Sequence, residues 1–223
     1  MWVVIPVKPF AYAKQRLAGV LTDVERSELA RVMLTDLLTT LGRCPGVSGT
    51  LLVSQEESLP ALARPFGAEC LHEEARGLSR AVAQAATHLA ARGETRLLML
   101  PGDVPLATAE EIGTLVARHA ASPLLTIVAD REGVGTNALA VSPPGLMSFY
   151  FGRESFQAHC AAAAAAGAVV QVLALPGIAF DIDTPDDLRD LMTYDTDAET
   201  LAYLCDRGLP PRVLPRQQVQ SAW

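Results

Sequence analysis

Apolar runs alternate along this chain with stretches whose apolar residues recur at helical spacing, and that alternation constrains the fold more than any other feature. Trp2-Val3-Val4-Ile5-Pro6-Val7 reads as a first strand, and Arg96-Leu97-Leu98-Met99-Leu100 as a buried one. Between them, Leu29, Met33, Leu34, Leu37, Leu38 and Leu41 lie on one helical face behind a capping box at Thr22 and Glu25, which predicts a helix over 23–42. Strands are expected near 49–54, 68–72, 124–129, 138–142 and 169–174, with a short one at 179–182. Helices are expected near 58–66, 78–92, 109–121 and 154–166, the third behind a capping box at Thr108 and Glu111. Thr184-Pro185-Asp186-Asp187 opens one more: N-cap, proline at the first helical position, acids in the first turn. Strand and helix in alternation predict an α/β fold with a mainly parallel sheet.

The 223 residues fit one domain over 1–206, followed by a Pro-rich tail over 207–223. No apolar stretch reaches the roughly 18 residues of a membrane span. The N-terminus shows no signal-peptide pattern, so the cytoplasm is the expected compartment. With 25 acidic against 18 basic residues the net charge is -7, which argues against non-specific nucleic-acid binding. A small anion in one local cationic pocket is compatible with that balance. Cys44, Cys70, Cys160 and Cys205 are widely spaced, with no C-x-x-C pair, and are expected as reduced thiols rather than zinc ligands.

One local departure from the acidic balance stands out. Lys8, Lys14 and Arg16 follow the first strand, and no acid appears before Asp23. In open α/β sheets ligands collect at the carboxyl ends of strands, so this loop is a candidate for neutralising phosphates, against the alternative of a solvated basic loop. Pro101-Gly102-Asp103-Val104-Pro105 leaves a buried strand in a Pro-bracketed turn. Asp103 there suits Mg²⁺, which wants hard oxygen ligands, or else satisfies turn amides. Asp181 and Asp183 point to one side by strand alternation and exceed what a cap supplied by Thr184, Asp186 and Asp187 needs. Asp183 is the second candidate metal ligand, and a metal contact for Asp181 stays open. Gly135-Thr136-Asn137 and Phe151-Gly152-Arg153-Glu154-Ser155 permit close backbone approach, and the second opens a helix whose free amides favour an anion. Ser155 could equally be a plain cap or first-turn residue.

Gly133-Val134-Gly135-Thr136-Asn137-Ala138 matches the dinucleotide fingerprint G-x-G-x-x-A, but the match runs into a strand where the fingerprint must open a helix. The chain contains neither G-x-x-x-x-G-K-[ST] nor G-x-S-x-G.

In this order the segments resemble the 2-phospho-L-lactate and phosphoenolpyruvate guanylyltransferases of coenzyme F-420 biosynthesis. The resemblance runs from residue 2 to about 192. It rests on Ile5-Pro6-Val7-Lys8, Ala13-Lys14-Gln15-Arg16-Leu17, Leu100 to Pro105, Gly135-Thr136-Asn137, Phe151-Gly152 with Ser155-Phe156 and His159, and Asp181 to Leu188. It implies a single-domain, three-layer nucleotidyltransferase fold with a mainly parallel mixed sheet, like that of nucleotide-diphospho-sugar transferases and molybdenum-cofactor nucleotidyltransferases. The implied reaction uses GTP, Mg²⁺ and a three-carbon phospho-acid: phosphoenolpyruvate, 2-phospho-L-lactate or 3-phospho-D-glycerate. It implies Lys14 and Asp103 in catalysis, Lys8, Lys14 and Arg16 on the nucleotide phosphates, and Asp103 and Asp183 on the metal. Leu78, Ser79 and Pro101 would meet the nucleoside, and Thr136, Gly152 and Ser155 the phospho-acid. No nucleic-acid or membrane partner is expected, and a homodimer is compatible. Two departures stand out: serine at 79 where the family would carry asparagine, and no Gly-rich loop of the molybdenum branch. The rival readings are another nucleotidyltransferase of the same fold, a dehydrogenase using Gly133 to Ala138, and a non-catalytic nucleotide-binding module.

Overall fold

A computed structural model describes residues 1–208. The predicted Pro-rich tail, apart from Arg207 and Gly208, lies outside the described residues. Seven strands pair into one sheet: β1 (Trp2–Pro6), β2 (Gly49–Ser54), β3 (Glu69–His72), β4 (Leu97–Met99), β5 (Leu124–Ala129), β6 (Thr136–Ser142) and β7 (Val169–Val172). Their order is β3-β2-β1-β4-β6-β5-β7. β1 runs parallel to β2 and β4, β2 to β3, and β5 to β7. β6 alone is reversed, antiparallel to β4 on one side and to β5 on the other. The expected mainly parallel mixed sheet is therefore what the chain builds.

Helices cover both faces. The long ones are α1 (Asp23–Leu41), α3 (Leu78–Ala91), α4 (Ala109–Arg118), α5 (Ser155–Ala165) and α8 (Glu199–Asp206), and the short ones α2 (Leu59–Ala63), α6 (Pro176–Ala179) and α7 (Pro185–Leu191). Strand alternation divides the apolar runs between two layers. Val3, Ile5, Leu98 and Leu100 pack with Leu34, Leu38, Ile112 and Leu115 of α1 and α4. Trp2, Val4, Leu97 and Met99 pack on the opposite face with Val82, Ala85 and Leu89 of α3. A third cluster, built on Leu17, Leu29, Met33, Phe180, Ile182 and Leu188, fastens the opening loop and α7 to α1.

Two local expectations need correction. Residues 179–182 do not form a strand. Pro176–Ala179 is a single helical turn whose Gly177 and Ile178 amides donate to the Glu111 carboxylate at 2.8 and 3.1 Å. The chain then extends, and Ile182 N donates to Asp103 O at 3.1 Å. The Glu111 carboxylate thereby serves α6 rather than completing a capping box with Thr108, whose hydroxyl does accept the Glu111 amide at 3.2 Å. The boxes at Thr22/Glu25 and Thr184/Asp187 form as full boxes, the first as expected. Gly133 to Ala138 runs through a turn into β6, so the match to the dinucleotide fingerprint opens no helix.

Candidate active site

The site is assembled at the carboxyl edge of the parallel strands. β1 delivers the opening loop there, β4 delivers Asp103, and the extended segment after α6 delivers Asp181 and Asp183. Because β6 runs the other way, its first residues, Thr136 and Asn137, reach the same edge. The result is a cleft of about 560 Å³, lined among others by Lys8, Lys14, Leu78, Pro101, Asp103, Thr136, Asn137, Asp181 and Asp183. That volume suits a ligand of nucleotide size.

Lys14 is the centre of the charge arrangement. It sits between two tight turns, Phe10–Tyr12 and Gln15–Leu17, in the left-handed conformation (φ 52°, ψ 40°). Its Nζ bonds Asp103 Oδ2 and lies 3.1 Å from Asp183 Oδ1, with only 7% of the side chain exposed. Burial opposes the ammonium charge, but Asp103 and Asp183 outweigh it and hold Lys14 above its ordinary pKa. Arg16 reaches Asp183 Oδ2 at 3.2 Å from an exposed position. Burial would raise Asp183, yet Lys14, Arg16 and Lys8 more than offset it and keep the carboxyl below the usual carboxylate range. Asp181 goes the other way: burial, together with the charges of Asp103 and Asp183, pushes it up to about 6. Asn137 Nδ2 donates to Asp181 Oδ1 at 3.0 Å and to the Ile178 and Ala179 carbonyls.

Asp103 is held through its own backbone, since its carbonyl accepts Ile182 N. That bond keeps the two acid-bearing segments side by side. Asp183 is fixed by the cap that follows it: Asp187 Oδ2 accepts Asp183 N at 2.9 Å together with Thr184 N and Thr184 Oγ1. Capping thus falls to Thr184 and Asp187, leaving the Asp181 and Asp183 side chains turned to other partners. Asp103 Oδ1 is buried with no hydrogen-bond partner. Among the described residues no group of three or more His, Cys, Asp or Glu is placed to share one ion.

Just before Thr136, Asp130 Oδ2 accepts Gly135 N at 2.7 Å and closes the β5–β6 hairpin. A Cβ at Gly135 would overlap that carboxylate, so a larger residue there would have to displace Asp130 from this bond. Ser155 does not act as a plain cap; it is buried and its Oγ lies 3.2 Å from Thr136 Oγ1. Gly152 adopts φ 145°, open only to glycine, in the loop that leads to Ser155. Gly152, Ser155 and Arg16 do not line the cleft itself. Ser79 also lies off the cleft wall, and its Oγ accepts Phe151 N at 2.9 Å, which ties the start of α3 to the loop before α5. Gln55, Glu73 and Arg76 line the cleft near Leu78 and carried no motif. Their only signal was position, just after β2 and β3 at the carboxyl edge.

The family model for CofC-like guanylyl transferases matches residues 1–218. The chain belongs to this family. It is 38% identical over 192 residues to a phosphoenolpyruvate guanylyltransferase of Conexibacter woesei, covering 85% of this chain and 86% of the relative. It is 34% identical over 187 residues to a 3-phospho-D-glycerate guanylyltransferase of Colwellia psychrerythraea, covering 84% and 89%. Among solved structures, a Desulfovibrio desulfuricans G20 protein described as a nucleotide-diphospho-sugar transferase superposes with a TM-score of 0.76 at 17% identity, covering 95% of this chain and 97% of that one. A 4-diphosphocytidyl-2C-methyl-D-erythritol synthase of Anaerococcus prevotii superposes with a TM-score of 0.61 at 11% identity, covering 92% and 95%. These likenesses establish the nucleotidyltransferase fold. As a CofC-like guanylyl transferase, the chain is an enzyme of the nucleotidyltransferase class. No helix among its described residues is long and apolar enough to cross a membrane.

Proposed function

We propose that this enzyme transfers GMP from GTP to the phosphate of a three-carbon phospho-acid and releases pyrophosphate, as a step of coenzyme F-420 biosynthesis. The observation that carries the reading is the pairing of Lys14 with Asp103 and Asp183, and of Arg16 with Asp183, at a cleft that Lys8 and Thr136 also line. The cations suit a triphosphate, and the hydroxyl wall suits a second, smaller anion. The names of the relatives point to phosphoenolpyruvate first and 3-phospho-D-glycerate second as acceptor.

In the proposed reaction a phosphate oxygen of the acid attacks the α-phosphorus of GTP. A new P–O bond forms, and the bond from the α-phosphorus to the α,β-bridging oxygen breaks, so pyrophosphate carries away the electron pair. The nucleophile is already an anion at neutral pH, and no strong general base is needed. The protein's task is positioning and charge neutralisation. Lys14 and Arg16, now on carboxylates, are the groups that would turn to phosphate oxygens, with Lys8 also lining the cleft.

The donor set fits Mg²⁺. Asp103 Oδ1 is a buried oxygen without a partner, Asp183 is a carboxylate kept ionised, and Mg²⁺ takes one or two carboxylates and completes its shell from water and substrate phosphates. Held by Asp103 and Asp183, it would supply further neutralisation of the phosphates and polarise the reacting phosphorus. Incubation with GTP, Mg²⁺ and each acid in turn, followed by mass measurement, should give a guanosine-diphosphate-linked acid. Asp103→Asn should lower its rate of formation about a hundredfold or more. Folded protein that yields no adduct with any of the acids would overturn the reading.

A further inference from the structure

His159 carries no role in the reaction as described, yet it is wholly buried at the acid end of the site. It lies on α5 four residues after Ser155, and so on the same helical face. Both ring nitrogens are engaged. Nε2 is 2.9 Å from Tyr150 N, and Nδ1 is 3.1 Å from Thr136 Oγ1. A backbone amide can only donate, so Nε2 must accept and carries no hydrogen. The ring proton of the neutral imidazole is then on Nδ1 and is donated to Thr136 Oγ1.

That assignment fixes the count of hydrogens around Thr136. Thr136 and Ser155 bring one hydroxyl proton each, and a single bond of 3.2 Å joins their oxygens. Nδ1–H already occupies one lone pair of Thr136. One hydroxyl proton spans the pair, and the other is left over. With Ser155 as the donor within the pair, the spare proton belongs to Thr136, which lines the cleft. A buried donor left without an acceptor is costly, so the site is built to meet an acceptor.

We propose that His159 is a positioning residue, which fixes Thr136 and Ser155 so that their spare hydroxyl proton is donated to the carboxylate or phosphate of the phospho-acid. This rests on the assignment of Thr136 to that substrate. His159 acts on the backbone as well. Through Tyr150 N it pins the loop that carries Gly152, and the Phe151 ring meets its imidazole edge-on at 4.7 Å between centroids. A protonated ring could not do this, because its second N–H would face the Tyr150 N–H. Burial pushes His159 down to about 4, so the ring stays neutral under assay conditions.

Three variants separate the two bonds. His159→Asn places an amide nitrogen where Nδ1 lies and keeps the donor to Thr136. His159→Gln places an amide oxygen near Nε2 and keeps the acceptor for Tyr150 only. His159→Phe keeps neither. In steady-state kinetics, KM for the phospho-acid should rise about tenfold in the Gln and Phe variants and less than about threefold in Asn, with KM for GTP unchanged throughout. Equal acid KM values for Asn and Gln, or acid and GTP KM rising together as the melting temperature falls, would overturn the proposal; the Asn–Gln comparison stands even if the Phe variant does not fold. Imidazole ¹⁵N shifts of the wild-type protein without substrates give a readout independent of turnover. They should show a protonated Nδ1 and a bare Nε2 between about pH 5 and 8. The opposite tautomer overturns the proposal in an active enzyme, whereas wild-type protein that makes no adduct overturns the reaction.

Discussion

Lys14 is the residue on which the two halves of the site depend. A non-glycine residue in the left-handed region is uncommon and costs on the order of 1 kcal/mol or more, so the surroundings must hold it there. The two carboxylates on its Nζ supply the hold. Lys14→Ala should cut the rate of pyrophosphate release at saturating substrates about a hundredfold or more, because a buried cation proposed to meet the reacting phosphates is gone. A rate within about threefold of wild type would remove Lys14 from the chemistry. The charged members of this site were legible in the sequence: three cations in an acid-free loop after a strand, and two acids beyond what a cap needs. Their mutual pairing was not, because an 89-residue separation between Lys14 and Asp103 leaves no mark in local pattern. Asn137 and His159 stand in the quoted motifs, but their contacts were hidden for a related reason. Their roles follow from the reversed direction of β6 and the docking of α5 beside it, which no residue type announces.

At the scale of elements, the short helix α7 carries more than its length suggests. Asp187 accepts the Asp183 and Thr184 amides and the Thr184 hydroxyl, and it also pairs with Arg131, which stacks 4.3 Å from the Phe180 ring centroid. One carboxylate therefore caps a helix and sets the backbone of Asp183, an acid of the candidate site. Asp187→Ala should lower unfolding free energy by about 1–2 kcal/mol in urea titrations, as lost caps do, and slow turnover severalfold by releasing Asp183. The exposed neighbour changed in Asp186→Ala should do neither, and matching losses in both variants would refute the cap's link to the site. This cap was readable as Thr184-Pro185-Asp186-Asp187, since N-cap chemistry is local. The segment before it was misread as a strand, because its alternation of Phe180, Asp181 and Ile182 satisfies a strand pattern. The missing information was Glu111, about 66 residues upstream, which draws Gly177 and Ile178 into a helical turn instead.

Across the whole molecule, the sheet separates two layers, and each conceals a neutral imidazole. His119 follows α4 and bonds Thr126 at 2.9 Å, while His159 lies on α5 beneath the opposite face. Burial, aided at His119 by the Arg96 charge, pushes both down to about 4 from an ordinary 6.5. As pH falls from about 6.5 to about 4, the unfolded chain binds protons at these two rings that the folded one refuses, so the rings withdraw stability through that window, while Asp181, raised to about 6, contributes in the opposite sense. Allowing for screening, each ring should withdraw on the order of 1–2 kcal/mol. Denaturant unfolding at neutral and acid pH measures it. His119→Asn, which keeps a polar partner for Thr126 and has nothing to titrate, should lose less over the same interval, and an equal loss would acquit His119. The parallel strands and the single reversed one also divide the connections. Those at residues 42–48, 92–96 and 119–123 turn at the edge of the sheet away from the cleft. The molecule has a working face and a handle. A fluorescent label or a fused domain spliced in beside the exposed Thr95 would ride on the handle. The same graft in the 130–135 hairpin would sit directly before Thr136, on the cleft side of the sheet.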